Sequence, residues 1–246
     1  MLRLLSIALA ASMALATTPA AAQSYPTKPI RILVGFSPGG GTDVMARLIG
    51  QKLTEGWNAQ VVVENRPGAG GVLAADLTAK AVPDGYTLMI GHVNSHGIAP
   101  AAMSKMPYDA ARDFAPIILI GTTPNLLVAN AGTGAKTLDD IVRAARANPG
   151  KLTFGSAGNG SPQHLATEMF KLAAKVDVLH IPYKGSGQMI PDLIAGQIGY
   201  SFDTMTAITP HVKSGKVTPI ATTRLKRSPA YPNLPTVAEL GYPGFD

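Results

Sequence analysis

Eight short runs rich in valine, isoleucine and leucine punctuate this chain, and their spacing restricts its fold more than any other feature. IRILVG (30–35), QVVVEN (60–65), YTLMIG (86–91), NLLVAN (125–130), KLTFGS (151–156), VDVLHIPY (176–183), QIGYSF (197–202) and VTPIATT (217–223) read as strands. Most are separated by segments of helix length: 42–54, 71–81, 137–147, 162–174 and 186–195. Strands that are apolar almost throughout are buried on both faces, so the pattern predicts an α/β fold of mixed, mostly parallel sheets covered by helices.

The first residues follow a different grammar. Residues 1–22 combine Arg3, an apolar run from Leu4 to Ala16 and the small residues Ala20, Ala21 and Ala22, the layout of a secretory signal cleaved near Ala22. That run of 13 residues is too short to cross about 30 Å of hydrocarbon as a helix, and no later stretch is longer. An exported, periplasmic product is expected. The absence of cysteine excludes disulfides, thiol chemistry and a lipid-anchored cysteine.

The formal net charge is +6, or +5 once Arg3 leaves with the signal. A modest positive field favours small anions. Nucleic acid is not an expected partner, because the longest basic cluster is Arg224, Lys226 and Arg227 and aromatics make up only 6% of the chain.

One unit occurs twice. LTFGSAGNGSPQHLATEMF (152–170) repeats the order of IRILVGFSPGGGTDVMARLI (30–49): apolar strand, glycine-rich turn, then a helix. The copies lie about 120 residues apart, one per domain on the usual size of about 100–150 residues. We therefore expect a first domain over 23–115, a second over 116–222 and a return to the first over 223–246. DFAPIILIGTTP (113–124) and TTRLKRSPAYPNLPT (222–236) are the expected crossings.

The stretch GFSPGGGTD (35–43) admits three readings. A phosphate loop would need lysine where Gly41 stands. GFSPG matches a hydrolase elbow with Ser37 as nucleophile, but the next residue, Pro38, lacks the N–H that the oxyanion requires. A carboxylate cradle asks for less. A helix that starts after a glycine-rich turn leaves free N–H groups and a favourable dipole for an anion. Here Ser37, Pro38, Gly39, Gly40 and Gly41 form the turn; in the second copy it is Ser156, Ala157, Gly158, Asn159 and Gly160. Two such loops facing each other would grip both ends of a small dicarboxylate.

GFSPGGGTD, ENRPGAGG (64–71), PDGYTLMIG (83–91), GSAGNGSPQHL (155–165), HIPYKG (180–185) and LPTVAELGYPG (234–244) together resemble the Bug family of extracytoplasmic solute receptors, from about Tyr25 to the last residue. The resemblance implies a two-lobed periplasmic-binding fold of type II that closes on small carboxylates, among them citrate, dicarboxylates, acidic amino acids and aromatic acids. It also implies two membrane subunits of a tripartite tricarboxylate transporter as partners, no cofactor and no catalysis. A monomer is expected. An exported serine hydrolase using Ser37, or a sensor sharing the fold, are the alternatives. Chains that resemble this one run on for several tens of residues, so more strand and helix of the first lobe is expected past residue 246.

Several side chains are further candidates. Asn94 and Ser95 follow the carboxyl end of a strand, where open α/β sheets bind ligands, or they belong to a structural loop. His92 and His96 have the spacing of a metal pair without a third ligand nearby in sequence. His164 opens the helix after the second loop, and Tyr183 precedes another glycine turn and would wall a pocket. Asp203 either accepts from a ligand amine or hydroxyl, or caps the following helix.

Overall fold

A computed structural model describes residues 24–245, so the signal-like leader lies outside the described residues. All eight apolar runs form strands: β1 (Ile30–Val34), β2 (Val61–Asn65), β3 (Thr87–Met89), β4 (Asn125–Asn130), β5 (Thr153–Ser156), β6 (Leu179–Pro182), β7 (Tyr200–Thr204) and β8 (Val217–Thr222). They build two sheets. The first has the order β2-β1-β3 and is parallel throughout; the second has the order β6-β5-β7-β4-β8, with β4 antiparallel to both its neighbours.

The helices are α1 (Gly41–Trp57), α2 (Val72–Ala79), α3 (Ala99–Ala102), α4 (Leu138–Ala147), α5 (Pro162–Ala174), α6 (Ser186–Ala195) and α7 (Met205–Lys213). The five expected helical segments are all present. Two of these helices start from side-chain caps: Thr137 and Asp140 form a reciprocal capping box on α4, and Ser161 caps α5 ahead of Pro162. Helix α7 escapes sequence reading because MTAITPHVK mixes β-branched residues with Pro210 and carries little helix preference of its own. None of the described helices is long and apolar enough to cross a membrane.

The continuous apolar character of the strands has the expected cause. On β4, Leu127 and Ala129 face a core built with α4 and α5, while Leu126 and Val128 face a separate core built with α6 and α7. Phe154, Phe170, Tyr200 and Phe202 form an aromatic stack in the first of these. In the smaller sheet Ile32, Val34 and Leu88 pack with Ala46 and Leu53 of α1, and Met89 packs with Val72 and Ala75 of α2 on the opposite face. A strand such as β4 buries both faces, at roughly 1.5–3 kcal/mol per large side chain, which is why alternation is missing from its sequence.

The two segments expected to cross between domains are built differently. Residues 115–124 have no regular secondary structure and join no sheet, leaving Ile117, Ile118 and Leu119 about four-fifths exposed. After β8 the chain runs beside it, with Val237 N donating to Thr222 O and Thr222 N to Pro235 O. Val237 and Phe245 enter the core of the larger sheet.

Candidate ligand-binding site

The carboxyl ends of the parallel strands β1, β2, β5 and β6 point their loops at one another, the position where α/β sheets bind ligands. Between these loops lies a cavity of about 230 Å³. Gly35 and Phe36 line it from β1, Gly68, Ala69 and Gly70 from β2, Ala157, Gly158 and Asn159 from β5, and Pro182, Tyr183 and Lys184 from β6. It is smaller than the roughly 300–1,000 Å³ of drug-sized sites, which suits a small metabolite.

Its polarity comes mostly from the main chain. Among the described residues, the amides of Phe36, Ala157 and Asn159 donate to no protein acceptor. Lys184 is the one charged side chain on the wall, and it has no carboxylate partner among the described residues. The Tyr183 hydroxyl donates to Asp192 Oδ2 at 2.7 Å, and its phenol is pushed up to about 12, first by burial and then by that carboxylate. The carboxylate of Asp43, next to the first loop, is taken up by Gly39 N, Asn65 Nδ2 and Arg47, which all donate to it.

The first glycine loop is docked rather than open. Ser37 N donates to Lys184 O at 3.0 Å, and the loop lies on the N-terminus of α6. A methyl group added to Gly187 would fall 1.7 Å from Pro38 O, so the two backbones meet with no room for a side chain. Gly39 sits beside Gly187 in the same contact. Gly40 and Gly41 line a second, much smaller void of about 20 Å³, next to Gln163, Ser186 and Thr204. Ser37 Oγ is buried without a hydrogen-bond partner among the described residues. A serine nucleophile needs a base within hydrogen-bond reach, and this one has none.

The second loop is held from below. Ser156 is fully buried; its Oγ lies 2.6 Å from His180 Nε2 and accepts from Gly158 N at 3.1 Å. The His180 ring stacks on His164 at 4.0 Å, and burial pushes its imidazole down to about 4, so it stays neutral near pH 7. His164 Nδ1 accepts from Gly160 N at 3.1 Å. Ser156, Gly160, His164 and His180 thus shape the loop from behind, while Ala157, Gly158 and Asn159 reach the cavity. The place of His180 under Ser156 is set by the pairing of β5 with β6 and by no local pattern.

Asn94 and Ser95 are also behind the wall. Asn94 Nδ2 donates to Gly70 O, and Ser95 Oγ donates to His92 O and lies 2.9 Å from His96 Nδ1. His92 is pushed down to about 4, mainly by burial, and packs edge-on against Phe36. Among the described residues no three ligating side chains gather as a metal would need. The turn Gly68–Gly70 and Lys184 are cavity residues that sequence reading missed, although PGAGG after a strand is the same glycine signal as the other two loops.

Asp203 lies fully buried at the end of β7. Its Oδ1 accepts from the Ser186 hydroxyl, from Thr204 N at 2.8 Å and from Gln163 Nε2 at 3.5 Å, while Oδ2 has no partner. Burial pushes the carboxyl up to about 6, against the pull of those donors. The fold favours the protonated acid, so this stabilisation is complete below the unfolded value of 3.8 and is lost as pH rises through about 6. The upper bound, about two pH units, is about 3 kcal/mol. Asp203→Asn is therefore expected to melt higher than the wild type at pH 8, by up to several degrees, with the gap closing by pH 4. Melting curves across that range check this, and an offset that does not change with pH would contradict it.

Two α/β units whose strand-end loops converge on a small, amide-lined cavity define a solute-binding receptor. The comparisons agree: the sequence pattern of the tripartite tricarboxylate transporter family receptors, TctC, matches residues 45–246. The chain belongs to that family. BugT of Bordetella pertussis is 39% identical over 228 residues, 92% of this chain and 70% of BugT. An R. palustris protein solved with adipate superposes with a TM-score of 0.87 at 38% identity, covering 91% of this chain and 75% of that one. MatC from Rhodopseudomonas palustris, solved with bound malate, gives 0.84 at 34% identity, covering 90% and 76%. These are binding proteins, and the hydrolase reading of GFSPG falls.

Proposed function

We propose that this protein is an exported receptor that captures a small carboxylate in the 230 Å³ cavity and hands it to the two membrane subunits of a tripartite transporter. The observation that carries the reading is the set of unclaimed amides at Phe36, Ala157 and Asn159, offered to one cavity by loops of both sheets. A hydrogen bond to a charged acceptor contributes about 1.5–3 kcal/mol, so three of these with the N-terminus of α5 supply about 5–10 kcal/mol against the cost of association. The adipate and malate complexes of the two R. palustris relatives support the same ligand class. The leader over residues 1–22 supports export.

The test is a thermal-shift screen of the full chain against dicarboxylates, tricarboxylates, acidic amino acids and aromatic acids. A ligand at 100 times its dissociation constant stabilises by about 2.7 kcal/mol, which for a chain of this size is about 5–10 °C. A panel in which neutral sugars and amides shift the melt while every carboxylate leaves it unchanged would refute the reading.

A further inference from the structure

Four consecutive residues after β2, Gly68 to Gly71, have φ angles of 157°, 46°, 63° and 96°. Glycine adopts such angles freely, and three of the four are glycines. The exception is Ala69, at 46°. An alanine there brings its Cβ against the following carbonyl oxygen, a conformation L-residues visit rarely and at a cost.

The neighbours impose that conformation. Gly68 O accepts from the amides of Gly71 at 2.9 Å and Leu73 at 3.5 Å. Asn94, itself buried, donates to Gly70 O and lies so close that a methyl group on Gly70 would fall 1.8 Å from its Nδ2. On the other side Gly71 Cα lies 2.5 Å from the place a Gly35 methyl would occupy. The turn is clamped between β1 and the segment around Asn94, and Ala69 has no freedom to relax.

Core packing does not offset the strain, because Ala69 is exposed, and it is one of the residues that line the cavity. Backbone strain kept at a ligand-facing position, where glycine would relieve it, marks a side chain that acts on the ligand.

We propose that Ala69 is a specificity-determining residue: its methyl group, fixed on the wall by a left-handed backbone, narrows the cavity to slender, unbranched carboxylates. The inference rests on the carboxylate reading above and adds to it which shapes are admitted. Asn94 is then a positioning residue that holds the wall in place.

Calorimetry with two matched pairs of probes tests it: succinate against 2,2-dimethylsuccinate, and glutarate against 3,3-dimethylglutarate. Each pair has the same charges and differs only in width. The wild type is expected to bind the unbranched member at least tenfold more tightly in the pair it recognises. Ala69→Gly is expected to shrink that ratio at least fivefold, and Ala69→Ser, which keeps Cβ, to preserve it. Unliganded Ala69→Gly is expected to melt no lower than the wild type, since relief of the left-handed alanine offsets the greater freedom of glycine in the unfolded chain. A wild-type ratio near one, or the same ratio in wild type and Ala69→Gly, overturns the proposal and leaves the carboxylate reading standing. Wild type that binds none of the four probes overturns the proposal, whereas the carboxylate reading falls only if the whole carboxylate panel of the thermal-shift screen also fails.

Discussion

Gly187→Ala is expected to weaken carboxylate binding by tenfold to a hundredfold while leaving the helical content of the protein intact. Alanine is the better helix former at this second residue of α6, so local propensity alone would raise stability. The contact across the cleft decides otherwise. The new Cβ would lie 1.7 Å from Pro38 O and 2.8 Å from Pro38 C, and both are backbone atoms that cannot rotate away. The loop that carries the Phe36 amide must therefore lift off α6, breaking the bond from Ser37 N to Lys184 O. Losing one charge-assisted bond and distorting its neighbours corresponds to about 1.5–3 kcal/mol, the stated range of affinity. Gly40→Ala is the control, because the nearest atoms to its added methyl lie at 3.5–3.8 Å and its φ of −76° suits any residue. Calorimetry on both variants, with circular dichroism for the fold, gives the answer; equal affinities would mean that the docked loop plays no part in capture.

Gly158→Val is expected to have a comparable effect through the second loop. Gly158 has φ 127°, where a β-branched residue is strongly disfavoured, and its added Cβ would meet Tyr183 O at 2.9 Å. That carbonyl is held in place, since Tyr183 N donates to Ser156 O at 3.0 Å. The loop has to change conformation, taking the Ala157 and Asn159 amides out of the cavity and costing about 1–3 kcal/mol of stability. We expect at least a tenfold loss of affinity and a melting point lower by several degrees. Wild-type affinity in this variant would remove the second loop from the binding surface.

The order of strands and helices was legible in the sequence, and the reason is visible in β4. NLLVAN is apolar at consecutive positions because one face meets α4 and α5 and the other α6 and α7, a pattern only a covered sheet requires. Glycine turns after β1 and β5 were legible for a similar reason: GGG and GNG have few uses besides close backbone approach. What stayed hidden depends on which strands become neighbours. His180 under Ser156, Lys184 on the wall and Asn94 behind Gly70 are each set by pairings between segments 24 to 147 residues apart, and no local pattern encodes them. Asp203 shows the same limit from the other side. Its position at a strand end suits a ligand contact, yet Ser186, Thr204 and Gln163 enclose it completely.

Most of the polarity that faces the cavity belongs to the main chain, and this bears on how such a receptor changes over generations. A point mutation can delete a lysine or a hydroxyl, but every residue except proline carries the same N–H, so the capacity to hold an anion survives almost any replacement at Phe36, Ala157 or Asn159 that preserves the turn. Side chains around the rim are then free to drift, altering which acid fits without ever passing through a form that captures nothing. Such a surface can acquire new ligands by small steps, with the anion grip inherited unchanged from the path of the backbone.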